Sequence, residues 1–144
     1  MRFSSGGSEK GEARGRLMGA DLTILKTGRY FRDSYNNGNC WWLIGASYWG
    51  MSGQLPKDGD GNVTLAGAGM VLTMLERATV PTFKQWLETK VGKEEIAYAE
   101  AQDGPKLPAF EVRRAYDELV QKFEDSKEFW REAVREHSAV SWSV

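Results

Sequence analysis

Cysteine and histidine are nearly missing from this chain: Cys40 and His137 are single occurrences in 144 residues. One cysteine excludes an intramolecular disulfide framework and fits a reducing compartment, so the expected location is cytoplasmic. One histidine cannot build a multi-histidine metal site from this chain alone. Long apolar runs are also lacking. No stretch approaches the roughly 18 residues that a membrane-spanning helix needs, so no membrane association is expected. Nor is there an excess of positive charge. A formal net charge of −1 disfavours nucleic acid as a partner held by bulk electrostatics, although a local basic patch stays open. Residues 1–17 contain no apolar segment of the kind a secretory signal carries.

What is present suits one domain. A 41% hydrophobic share and a 27% charged share are ordinary for a globular chain. Six Trp, six Phe and five Tyr are many for this length, so a few large rings should carry much of the burial. The segment from Met1 to Arg16 is Gly, Ser and charge, with four basic side chains against two acidic ones. That net of +2 leaves −3 for the remainder, and such a segment has little to bury. The expected organisation is a disordered tail over 1–17 and a single domain over 18–144; whether Met18 is the natural start stays open.

Along that domain, Ala20 to Thr27 alternates loosely, with Leu22 and Ile24 apolar, and reads as a short half-buried strand. Ala139 to Val144 places Val140, Trp142 and Val144 at period two. Two strands at opposite ends of a helical chain have no other evident partners, which predicts that they pair with each other. Helices fill the interval. One runs from Cys40 to Trp49, capped by Asn39 and apolar nearly all round, Trp42 included. Another runs from the cap Thr64 to about Ala78. A third opens with the Thr82 and Gln85 capping box and stops at Gly92. Lys93 to Gln102 is a fourth, ended by Asp103-Gly104-Pro105. The last carries Val112, Tyr116, Leu119, Val120, Phe123, Trp130, Ala133, Val134 and His137 on one stripe, with a kink or short break expected near Ser126. The fold class expected is therefore α+β, mostly α, with about five helices and a short two-stranded pairing of the N- and C-terminal strands.

Three motifs invite chemistry and have simpler readings. Lys57 to Thr64 resembles the middle of an EF-hand loop, but the two anchoring positions fall on Pro56 and Gly67. Calcium needs about six to eight oxygens, so the segment reads as a polar turn feeding the Thr64 cap. Glu124, Glu128, Glu132 and Glu136 line one helix face, interleaved with Lys127, Arg131 and Arg135. Without a Glu-x-x-His pair from other helices, that is a solvated face of mixed charge. Cys40 stands at a helix start but has no evident base, and reads as a small buried thiol. No catalytic residue, cofactor or metal is assigned.

The segment from Gly28 to Asn37 differs. As a loop it gathers two Arg, one Asp, two Asn and three aromatic rings immediately before the Trp-rich helix. Aromatic faces beside guanidinium and amide groups are what flat ligands or partner side chains require. The candidate binding residues are Arg29, Tyr30, Arg32, Asp33, Tyr35, Asn36 and Trp41. They support a non-enzymatic binding or interaction module whose partner is a protein or a small flat ligand. The alternative is a small enzyme with a pocket built from Arg29, Arg32, Asp33 and Tyr35. The structural reading of the same residues pairs Arg32 with Asp33 and packs Tyr30, Phe31 and Tyr35 against Trp41 and Trp42.

The segments Met18-Gly19-Ala20-Asp21-Leu22, Tyr30-Phe31-Arg32-Asp33-Ser34-Tyr35-Asn36 and Trp42-Leu43-Ile44-Gly45-Ala46-Ser47-Tyr48-Trp49 carry a resemblance. Together they resemble an uncharacterised family of small bacterial proteins with MGADLYI, YFRDSYN and LWxLGLSWW segments. The likeness covers most of the chain from Met18. It departs where the family's first helix would lie, since almost nothing separates the opening strand from Gly28. The resemblance implies an α+β fold, a cytosolic setting and bacterial or phage origin. It implies no activity and no catalytic residue.

Overall fold

The computed structural model describes residues 20–33, 53–103 and 108–143. In chain order these form β1 (Ala20–Ile24), β2 (Tyr30–Asp33), α1 (Leu65–Arg77), α2 (Phe83–Leu87), α3 (Lys90–Asp103), α4 (Pro108–Arg135) and β3 (Val140–Ser143). The fold is α+β and mostly α, as the sequence suggests. The expected helix from Cys40 to Trp49 lies outside the described residues, among which there are four helices rather than five.

The terminal strands pair antiparallel, Leu22 opposite Trp142 and Ile24 opposite Val140. The sheet nevertheless has three strands, in the order β2-β1-β3. Its third member comes from the segment expected to be a loop. Residues 25–28 turn the chain back, with Gly28 at φ 77° and its N–H donating to the Ile24 carbonyl at 2.7 Å. Only glycine takes that φ without a steric cost. Tyr30, Phe31 and Arg32 then alternate out, in, out against β1, because the buried Phe31 anchors the register opposite Leu22.

The helices follow their caps. The Thr64 hydroxyl accepts from the Gly67 N–H at 3.3 Å to start α1. Thr82 and Gln85 close a reciprocal capping box at α2. Just before α1, Val63 exchanges two 2.8 Å backbone hydrogen bonds with Val140, tying the approach segment to the sheet. The Asp58 carboxylate turns on its own loop, accepting from the N–H groups of Asp60 at 2.9 Å and Asn62 at 3.0 Å. Those donors, Asn62 first, hold its pKa below the usual carboxylate value.

Two expected boundaries move. Gly92 does not end a helix; it lies inside α3, whose first turn presses on the end of α2. Ser126 does not break α4. It is fully buried, and Val112, Tyr116, Leu119, Phe123, Ser126, Trp130 and Ala133 step along the helix by four and three in alternation. A small polar residue on that seam leaves the helix continuous, since the packing stripe runs through it.

His137 is not on the stripe. It follows α4, exposed, at φ 54°. Its N–H donates to the Val134 carbonyl at 3.1 Å and the Ser138 N–H to that of Ala133 at 3.0 Å, the paired bonds of a Schellman cap. A left-handed residue with a Cβ is strained there, so His137→Gly should raise stability by about 1 kcal/mol in a urea melt. A fall would mean that the imidazole makes a contact worth more than the strain.

The core lies where α4 meets everything else. It packs on α1, α2, α3 and β2. Phe129 meets Phe31 with ring centres 5.6 Å apart, and Trp130 meets Trp142 at the same distance. At the other end Trp86, Phe83 and Tyr116 form one ring cluster, and the Tyr116 hydroxyl donates to the Pro81 carbonyl at 2.6 Å.

Candidate functional site

Strand alternation sorts the sheet into two faces. Leu22, Ile24, Phe31 and Val140 are buried toward the helices, with Trp142 half-buried beside them. Asp21, Thr23, Tyr30, Arg32, Ser141 and Ser143 alternate with them and form the opposite, outer face. Cross-strand neighbours there are Asp21 with Arg32 and Ser143, and Thr23 with Tyr30 and Ser141.

One carboxylate organises that face. Asp21 Oδ1 accepts a hydrogen bond from the Tyr30 hydroxyl and another from Arg32 Nη1 at 3.0 Å. Both anchored side chains stay open to solvent: Tyr30 is 57% exposed, and the Arg32 and Asp21 side chains 39% and 46%. The Asp21 hydrogen bond, helped by desolvation and partly offset by Arg32, raises the Tyr30 pKa above its usual value. Beneath this face, Lys122 Nζ donates to the Arg32 carbonyl at 3.0 Å and lies 4.9 Å from the Phe31 ring centre. That contact occupies an acceptor at the edge of β2.

Arg29 leads elsewhere. Its guanidinium binds Glu132 Oε1 on α4 at 2.6 Å, and the Glu132 side chain is only 16% exposed. Glu132 thus leaves the solvated charge face to which the sequence assigned it and pins the hairpin to the helix. The Arg29 hydrogen bond is the main reason its pKa falls below the ordinary carboxylate value. A depressed carboxylate pKa adds stability above the unfolded value, near 4.3, that is lost as pH falls through the folded one. Acidification from about pH 5 to pH 3 should therefore lower the melting temperature of the native protein more than that of Glu132→Gln. Equal acid sensitivity of the two proteins would remove the clamp.

The sequence-based candidates accordingly separate. Tyr30 and Arg32 share the outer face; Arg29 belongs to the clamp; Asp33 ends β2, opposite Ala20. Tyr35, Asn36 and Trp41 lie outside the described residues, as does Trp42. Arg32 pairs with Asp21 across the strands, as neighbours on one face do; the side chain of Asp33, and with it the expected Arg32–Asp33 pair, lies outside the described residues. Phe31 packs on Phe129. Asp21 is the residue that sequence reasoning missed. Its signal was available: period two puts it on the face opposite Leu22.

Among the described residues no group of three or more His, Cys, Asp or Glu side chains is placed to hold a metal ion, and no helix is long and apolar enough to cross a membrane. Fold and geometry together define a mostly helical α+β domain with an open, polar sheet face. Comparisons with protein-family models, with curated proteins and with solved structures returned no match.

Proposed function

We propose that this domain is a non-enzymatic binding module that meets a protein or small flat ligand with the outer face of its sheet. The observation that carries this reading is the Tyr30 ring, 57% exposed while its hydroxyl is held by Asp21. An exposed ring fixed in advance loses less freedom on binding, a saving of about 0.5–1.5 kcal/mol per side chain. Tyrosine and arginine are also the residue types that most often dominate interface energies. The reading treats the chain as a member of the bacterial family that it resembles, and as a cytoplasmic protein.

The same geometry weighs against the enzyme alternative. Arg29 and Arg32, two of the residues such a pocket would need, are engaged by two different carboxylates, Glu132 and Asp21. The Tyr30 phenol is held protonated, which opposes its use as a base at neutral pH.

Arg32→Lys tests the module. The pair with Asp21 is half-exposed, so its loss should cost at most about 1 kcal/mol. A recognition surface that uses the planar guanidinium fork cannot accept lysine. The expected result is a melting temperature lowered by no more than about 4 °C with capture of the partner lost in a pull-down. A variant that melts early and binds in proportion to its folded fraction would contradict the proposal.

A further inference from the structure

The outer face also carries a statement about what it binds, resting on the reading of that face as a recognition surface. We infer that it takes an uncharged planar heterocycle presenting N–H donors at its edge, a nucleobase-like ring without phosphate. Three features lead there. The Tyr30 ring is exposed and anchored by its hydroxyl, giving a platform on which a flat ring stacks.

Asp21 supplies the edge contact. Its Oδ1 accepts from both Tyr30 and Arg32, while Oδ2 has no hydrogen-bond partner among the described residues, although the side chain is 46% exposed. A carboxylate oxygen is acceptor-only, so the ligand must bring the hydrogen. Ring amino groups do this, as when a carboxylate accepts from the 4-amino group of cytosine.

Charge then excludes the neighbouring classes. Asp21 and Arg32 neutralise one another across the strands, and Thr23, Ser141 and Ser143 around them are uncharged. An anionic ligand would face the open carboxylate oxygen, and a cationic one would face the guanidinium. A neutral donor-edged ring meets neither repulsion. A nucleic-acid strand would bring its phosphates to a chain of net charge −1.

The test is a matched pair of probes, cytidine and N4,N4-dimethylcytidine, which share a ring but differ in the donor. Titration of each into the 15N-labelled full chain should show cytidine shifting the amide signals of residues 21–23 and 30–32 saturably. The dimethyl compound should bind at least about tenfold more weakly, because its methyl groups remove the donor and cover the Asp21 oxygen without giving it a hydrogen bond. Tyr30→Ala should weaken cytidine by about tenfold or more through lost stacking, with its melting temperature unchanged. Equal binding of the two probes, shifts confined to other residues, or no binding of either would overturn the ligand class. If cytidine fails while Arg32→Lys still loses a captured protein, the ligand class falls and the surface stands. If Arg32→Lys also captures normally, both fall.

Discussion

Trp130→Ala will cost about 3–5 kcal/mol, the largest loss expected of any single substitution in the described residues. The side chain is fully buried. It stands edge-on to Phe129 at 5.5 Å and tilts against Trp142 at 5.6 Å, so it joins α4 to the inner face of the sheet. Truncation to a methyl leaves a ring-sized void between two elements, neither of which can move in without losing its other contacts. A domain of this size holds only about 5–15 kcal/mol in all, so the variant will be marginal or unfolded at 37 °C. Urea melts of the two proteins check this. A loss under about 1 kcal/mol would mean that the α4–sheet junction is not the core.

Gly92→Ala is expected to cost about 2–3 kcal/mol, against the usual helix preference for alanine. A Cβ at position 92 would overlap the Trp86 carbonyl oxygen and come within 2.8 Å of the Leu87 Cα. These are backbone atoms, so no rotamer change relieves the clash. The first turn of α3 would have to lift from the end of α2, and Trp86, fully buried there, would lose its packing. A Gly92→Ala protein as stable as the native one would show that α2 and α3 are not in close approach. A gain would suggest that helix propensity rules the position.

Much of this fold was legible because local chemistry and the global arrangement agree. Thr64 and the Thr82 and Gln85 box start the helices that they announce. Period two in Val140 and Trp142 marks a real strand, and its pairing with β1 follows from the shortage of other partners. Where reading failed, a residue had two physical uses. Gly92 after an apolar stripe looks like a cap, yet a glycine also permits close backbone approach, and only the tertiary contact distinguishes them. Ser126 beside Asp125 and Glu128 looks like a new helix start, yet its spacing from Phe123 and Trp130 keeps it on the seam.

The site was half legible for a related reason. Tyr30, Phe31 and Arg32 already alternate, but three residues beside a turn are too short a run to separate a strand from a loop. Once β2 is a strand, the alternation buries Phe31 and exposes Tyr30 and Arg32 on one face. Arg29 drops out of that face because its partner, Glu132, is 103 positions away in sequence. No local pattern announces such a pair. Asp21 enters by the register of β1, which depends on both its neighbours.

The central claim is that the Tyr30 ring serves recognition and not the fold. Thermal melting and partner capture measured together on Tyr30→Ala test it most directly. The account predicts a stability within about 0.5 kcal/mol of the native protein and a lost or strongly weakened partner. A clear fall in melting temperature with capture retained per folded molecule would contradict it.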